Sequence, residues 1–445
     1  MNPQPSPPNQ PAKPPIELKS KSSLITNPVS TTSTSFVIKV AQWVFRYLPY
    51  SSLSYLISFA YHWAGRTLFK EKEHYKRWCL TVKQTADIKN RKKAQHGSSV
   101  ATPQEELDYR QIKESGLFNA NFYLPPFSPK YTLDETICNF ICFWHAQPLR
   151  KPMPGFNTQI YAASHNLTAH GSPNPFAHYL RTGKPQGQWN SPIIDPSATV
   201  TPSSQALRCA LHIHVFYPKL LEDILKPLAY NQLKCDLFVS VTSQDALKQV
   251  ETILKSYSKG TYEICIVPNR GRDIGPLLSA FNEKIASYDI IGHLHTKKSP
   301  HLKHPGAARL WFTFLIENLI GGQNSMADRI IAQFAQDETL GLVYPDDPYI
   351  LGWGENKPFA VQLAQQMGLP ELPDGSFSFP AGTMFWARPA ALKPLFMLNY
   401  SWGDYPVEPL PPDGSMLHAI ERLLPFVAEK QGFKKALTYV SGITH

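Results

Sequence analysis

From residue 208 to residue 296 the chain alternates short, apolar, β-branched runs with stretches of helical periodicity. The runs "ALHIHVFY" (210–217), "CDLFVSVT" (235–242), "YEICIVPN" (262–269) and "YDIIGHLHT" (288–296) predict strands. Between them, "KLLEDILKPLA", "DALKQVETILKSY" and "IGPLLSAFNEKI" place apolar residues three and four apart, the spacing of one helix face. Such alternation predicts an α/β fold: a mostly parallel, Rossmann-type sheet with helices on both faces and a crevice at the carboxyl ends of the strands. Upstream the texture differs. Residues 110–193 carry aromatic residues at helical spacing with Pro or Gly at each corner, so they predict a small helical module with Tyr161, Phe176, Tyr179 and Leu180 facing inward and His178 packed among them. A polar Pro/Ser linker, 194–206, separates this helical region from an α/β domain over 207–445.

Charge adds a further segment. Residues 1–130 hold 18 Lys+Arg against 8 Asp+Glu, while 131–445 hold 26 against 26, so the whole net charge of +10 is N-terminal. Residues 1–34, rich in Pro, Ser and Thr, read as a disordered tail without the apolar core of a signal peptide. Residues 35–95 read as an amphipathic, basic and aromatic helical segment. Within it, 19 uncharged residues separate Arg46 from Arg66, and they include Pro49, serines, four tyrosines and His62. That composition suits a membrane interface better than a hydrocarbon core, and the lysines and arginines that follow suit anionic headgroups; a pair of buried amphipathic helices is the other reading. The expected location is the cytoplasm, peripheral on the inner face of the membrane. With the charge balanced after residue 130 and no nucleic-acid motif, no nucleic-acid partner is expected. The six cysteines have no disulfide-framework spacing, and Cys138, Cys142 and His145 supply only three metal-type ligands, so a packed helix is expected there.

Chemistry concentrates where two predicted strands end. In "NRGRDIGPLL" (269–278), Gly271 and Gly275 permit close approach of backbone to a ligand, and Pro276 opens a helix whose first amides are free. Arg270 and Arg272 suit phosphate oxygens, while Asp273 suits a ribose or base. Capping of the helix by Asp273 is the plain structural alternative. "GHLHTKKSPH" (292–301) adds His293, His295 and Lys297 on one strand face, a cationic cluster fitted to a diphosphate rather than to a metal. Asp413 precedes the helix "MLHAIERLL" and reads equally as a general base and as a cap, with His418 and Glu421 in reserve. Asp346 and Asp347 contact a sugar or end a strand in solvent, and Trp353 either stacks on a sugar or is packed.

Four separated motifs, "NRGRDIGPLL", "YDIIGHLHTKKS", "FPAGTMFWARPAAL" and "DGSMLHAIERLLP", resemble the rhamnan synthesis protein F family of bacterial polysaccharide and O-antigen assembly, over roughly residues 208–430. Asn174-Pro175-Phe176 with His178-Tyr179-Leu180, Gly183 and Gly187 resembles a helical module attached to polysaccharide glycosyltransferases. The family is distantly similar to GT-A-type glycosyltransferases. The resemblance implies a GT-A-like domain that moves a sugar, rhamnose among the candidates, from a nucleoside-diphosphate donor to a lipid-linked glycan. It also implies Gly382 and Thr383 at a turn toward the sugar, with Arg388 behind. His293-Leu294-His295 stands where such enzymes carry an acidic Asp-x-Asp metal motif, so no metal cofactor is expected to be required. A non-catalytic glycan- or nucleotide-sugar-binding partner is the alternative.

Overall fold

The computed structural model describes residues 102–445 except 127, 129–130, 146–148, 169–171, 199–206 and 297–305; the N-terminal segments 1–34 and 35–95 lie outside the described residues. Ten strands are seen among the described residues: β1 Ile193–Ile194, β2 Cys209–His214, β3 Cys235–Val241, β4 Tyr262–Ile266, β5 Ile290–His295, β6 Leu340–Pro345, β7 Leu351–Gly352, β8 Ser376–Phe377, β9 Phe385–Ala387 and β10 Lys434–Thr438. Eight form one sheet in the order β1-β10-β6-β9-β5-β2-β3-β4, and β7 and β8 make a separate pair. All four strands expected from the apolar runs are present, each trimmed to the part that pairs.

Strands buried on both faces read as continuous apolar runs rather than alternating ones, and β2, β5 and β6 are buried at every position. One face packs under helices Glu222–Ala229, Gln244–Leu254, Ala307–Leu319 and Met326–Gln336, through Ile224, Val250, Leu315 and Ile330. The other packs under Lys357–Gln366 and Met416–Lys430, through Leu363, Ile420 and Leu424. Each fully buried Leu, Ile or Phe contributes about 1.5–3 kcal/mol of hydrophobic transfer. The sheet is mostly parallel, with one exception that the sequence pattern does not reveal. β9 runs antiparallel between β5 and β6. Gly292 of β5 makes room for it, since a Cβ there would stand 2.8 Å from the Trp386 ring. Because β9 runs backward, its entrance lies at the carboxyl ends of its neighbours and delivers the 382–383 turn to that edge.

The helical residues upstream begin with Pro103–Ser115, capped by Thr102 and Glu105 in a reciprocal capping box. Tyr161, Phe176 and Tyr179 are buried and Leu180 packs against them, as their spacing predicts. The His178 ring bonds the Tyr161 hydroxyl at 2.9 Å. Cys138 and Cys142 lie on the helix Leu133–Phe143, which buries Ile137, Phe140 and Ile141.

Candidate functional site

Strand order reverses at β2, whose neighbours are β3 on one side and β5 on the other. Ligands of open α/β sheets bind outside the carboxyl ends of the strands at such a point. The 269–275 turn approaches it from the end of β4. Gly271 and Arg272 both take left-handed backbone, with φ of 74° and 49°. Glycine is required at 271 because a Cβ would lie 2.8 Å from Gly275 Cα and 2.9 Å from the Tyr405 ring. The expectation that these glycines admit a ligand is corrected: the close approach is between two parts of the turn itself, and the Gly275 amide donates to Gly271 O at 2.7 Å. Arg270 is likewise engaged within the protein, its guanidinium donating to Tyr405 O at 2.7 Å and Gly403 O at 3.0 Å. The helix expected from Pro276 is a five-residue π-helix, Pro276–Ala280.

Arg272 has a different setting. Its strained backbone, of the kind that costs about 1–3 kcal/mol, aims a half-exposed guanidinium at Glu408 Oε1 (3.3 Å) and His418 Nε2 (3.3 Å). An arginine only donates, so His418 Nε2 accepts and its Nδ1–H donates to Ser415 Oγ at 2.8 Å. Burial, then the Arg272 charge, lowers the His418 pKa and keeps the ring neutral. Asn269 is exposed at the start of the turn.

Asp273 does not cap a helix. It turns into the sheet, where Oδ2 lies 3.2 Å from His293 Nε2 and 4.0 Å from His295 Nε2. Burial alone would raise this carboxyl, but His295 and His293 outweigh it and hold the pKa well below the carboxylate range. His293 is wholly buried, so its placement on an open face for a diphosphate is corrected: it reaches inward to His212 Nδ1 at 2.9 Å. His295 donates through Nε2 to Gly382 O at 2.8 Å. The Gly382 amide in turn donates to Glu421 Oε1 at 2.5 Å, and Thr383 follows with φ of 56°, a costly conformation for a β-branched residue. Thus Arg272, Asp273, His293, His295, Gly382, Thr383, His418 and Glu421 converge on one region. Lys297 lies outside the described residues.

Asp413 is exposed beside this group. Its Oδ1 accepts from Asn356 Nδ2 at 2.7 Å and lies 3.5 Å from Arg422. Capping of the helix Met416–Lys430 falls to Ser415 instead. Arg388 donates to the carbonyls of Leu340 and Phe334, a structural tie.

A family model for rhamnan synthesis protein F matches residues 176–433. The chain belongs to that family. The rhamnan synthesis protein F match starts 32 residues earlier than the motifs suggested, at Phe176, and so takes in most of the helix Pro175–Arg181. Two proteins of Xanthomonas campestris pv. campestris, from different strains and both described as "Uncharacterized protein WxcX", are 30% identical to this chain over 247 residues, covering 54% of it and 33% of their own length. The chain therefore spans about a third of the length of the curated relatives it matches.

Sequence reading passed over three residues of this candidate site: His212, His214 and Ser240. A signal was present. "LHIH" and "GHLH" repeat the same i, i+2 histidine spacing, and parallel pairing sets His212 against His293 and His214 against His295. Asp346 and Asp347 require a correction too, because neither ends its strand in solvent. Asp346 is buried against Lys151 Nζ at 2.5 Å and the Gly155 amide at 2.6 Å. Asp347 is buried beside His445 at 3.4 Å. Trp353 is packed between Phe377 and Phe426. Among the described residues, no group of three or more His, Cys, Asp or Glu is arranged to hold a metal ion.

Proposed function

We propose that this chain is a glycosyltransferase with a GT-A-like fold, moving a sugar such as rhamnose from a nucleoside-diphosphate donor to a lipid-linked glycan in cell-surface polysaccharide synthesis. The observation that carries the reading is the Arg272 guanidinium, 36% exposed and held on strained backbone next to Asp273, which reaches the point of strand reversal. In such a transfer the acceptor oxygen attacks the anomeric carbon, the bond to the diphosphate breaks, and the diphosphate leaves with the electron pair. Arg272 faces the departing negative charge, with Lys297 on the following strand end as its proposed companion. Asn269 lies at the solvent side for the nucleoside, and the Gly382–Thr383 turn flanks the sugar.

The test is transfer from a panel of nucleoside-diphosphate sugars, a rhamnose donor among them, to lipid-linked glycan extracted from bacterial membranes. Turnover should persist in chelator and fall about 100-fold or more in Arg272→Ala, the loss typical when one charge-stabilising donor is removed. Tight donor binding without turnover on any acceptor would instead establish the non-catalytic partner. That second reading has one observation behind it: Arg270, Arg272, the Gly382 amide and Asp413 all have protein partners already.

Peripheral membrane attachment through residues 35–95 belongs to the same proposal. Among the described residues no helix is long and apolar enough to cross a membrane. Each juxtamembrane Lys or Arg contributes about 1 kcal/mol near anionic lipid. The full chain should therefore sediment with vesicles containing phosphatidylglycerol, and a chain lacking residues 1–95 should stay in the supernatant. Equal partition of the two would remove the membrane from the account.

A further inference from the structure

Five side chains on four neighbouring segments form one unbroken hydrogen-bonded path. From the crevice inward it runs His214 Nδ1 to Ser240 Oγ (2.9 Å), Ser240 Oγ to His212 Nε2 (3.1 Å), His212 Nδ1 to His293 Nδ1 (2.9 Å) and His293 Nε2 to Asp273 Oδ2 (3.2 Å). With one proton on the His293 ring, donor and acceptor rules fix its direction. An ionised carboxylate only accepts, so His293 donates from Nε2 and, where that is its one proton, leaves a lone pair on Nδ1. His212 must then donate from Nδ1, which makes its Nε2 the acceptor of the Ser240 hydroxyl. Ser240 Oγ in turn accepts from His214 Nδ1–H. The remaining lone pair of the path is on His214 Nε2, which has no partner among the described residues. His214 is the last residue of β2, at the point where strand order reverses.

We propose that His214 Nε2 is the base that takes the proton from an acceptor hydroxyl, with Ser240, His212, His293 and Asp273 as positioning residues that hold its tautomer and carry the charge inward. This rests on the sugar-transfer reading. As the acceptor oxygen bonds to the anomeric carbon, its proton goes to His214 Nε2. His214 passes its Nδ1 proton to Ser240, Ser240 passes its own to His212 Nε2, and His212 gives its Nδ1 proton to His293 Nδ1. The imidazolium so formed is His293, directly beside the Asp273 carboxylate, which stabilises it without being protonated. Charged and titratable groups facing His214 are Asp273, His295 and His293; burial keeps His214 itself neutral, with its pKa lowered to about 4. Asp413, the carboxylate indicated by the sequence, has one oxygen bonded to Asn356 and Arg422 close by. Among the described residues, His214 has an unused acceptor.

Nitrogen NMR of the full chain, labelled in histidine with nitrogen-15, tests the path without any substrate. At pH 7 His214 and His212 should be protonated on Nδ1 and His293 on Nε2. Finding the proton of His214 on Nε2 would overturn the proposal, whatever the fate of the transfer assay. The reverse failure is distinguishable: the predicted tautomers with no transfer from any donor would leave the path intact and remove the function. Where transfer is seen, His214→Gln should lower kcat about 100-fold or more, the range for loss of a general base, with KM for the donor little changed. Ser240→Ala should lower kcat less and move the acid limb of the pH–kcat profile. Full activity in His214→Gln, together with loss in Asp413→Asn, would return the role of base to Asp413.

Discussion

Lys151→Ala should destabilise the folded chain by about 3–5 kcal/mol, the usual cost of leaving one member of a buried ion pair without its partner. Lys151 Nζ and Asp346 Oδ1 are 2.5 Å apart with side chains 4% and 0% exposed, so water cannot take over either charge. Burial already pushes the Asp346 carboxyl above its ordinary pKa, against the pull of Lys151 and the Gly155 amide. Removing the lysine leaves that desolvation uncompensated. The pair also joins a residue just after Arg150 in the helical part of the chain to the residue that follows β6, so the loss should loosen the 151–155 segment as well. Urea denaturation at constant m-value measures the change. Lys151→Met combined with Asp346→Asn should be clearly more stable than the sum of the single effects, because the amide still accepts from Gly155 and no unpaired charge remains. A loss below about 1 kcal/mol in Lys151→Ala, the ordinary size of a surface effect, would show that solvent reaches the pair.

Acid should destabilise the fold well before its carboxylates protonate. The His214 pKa drops from 6.5 to about 4 in the folded chain, first through burial. Between those values the unfolded chain holds a proton there that the folded chain does not, so stability rises with pH across that window and falls as pH is lowered through it. Below about 4 both states are protonated at this position and its contribution ends. The shift corresponds to a loss of about 3 kcal/mol between pH 6.5 and pH 4. His212 is wholly buried and depressed well below 6.5, so it adds its own loss across the same window and carries it to lower pH. Asp273 acts in a separate and lower window, since its depressed carboxyl stabilises the fold above the ordinary pKa of 3.8 and yields that contribution only as pH falls beneath it. Guanidinium midpoints measured from pH 7 to pH 4 should fall steadily in the natural chain, less steeply in His214→Phe, where His212 still contributes, and least when His212 is replaced as well. A flat profile would mean that the histidines are solvated.

How much of this was legible in the sequence follows from the range of the interactions. The strands β2 to β5 were readable because continuous β-branched runs between helical stretches have few other uses. The inward residues Tyr161, Phe176 and Tyr179 were readable because helix periodicity is local. β9 was not: three residues carry no period, and its direction depends on a gap that Gly292 leaves for Trp386. The ion pair between Lys151 and Asp346 spans 195 positions and has no local mark. Asp273 was read as a cap or a ribose ligand because a carboxylate before a helix usually serves at the surface. Its actual partner is a histidine 20 positions away on the next strand. Arg272 was named for its chemistry and Thr383 through the family resemblance, and their left-handed backbone became visible only in three dimensions.

Strand β9 has a mechanical consequence. In the eight-stranded sheet, β1, β10 and β6 lie on one side of it and β5, β2, β3 and β4 on the other, and hydrogen bonds pass between the two groups through Phe385, Trp386 and Ala387. A zipper closed by three teeth has no intermediate setting: once those residues part, each half exposes an unpaired edge. Heat or denaturant thus meets a single cooperative block, in which the crevice and its supports are lost together.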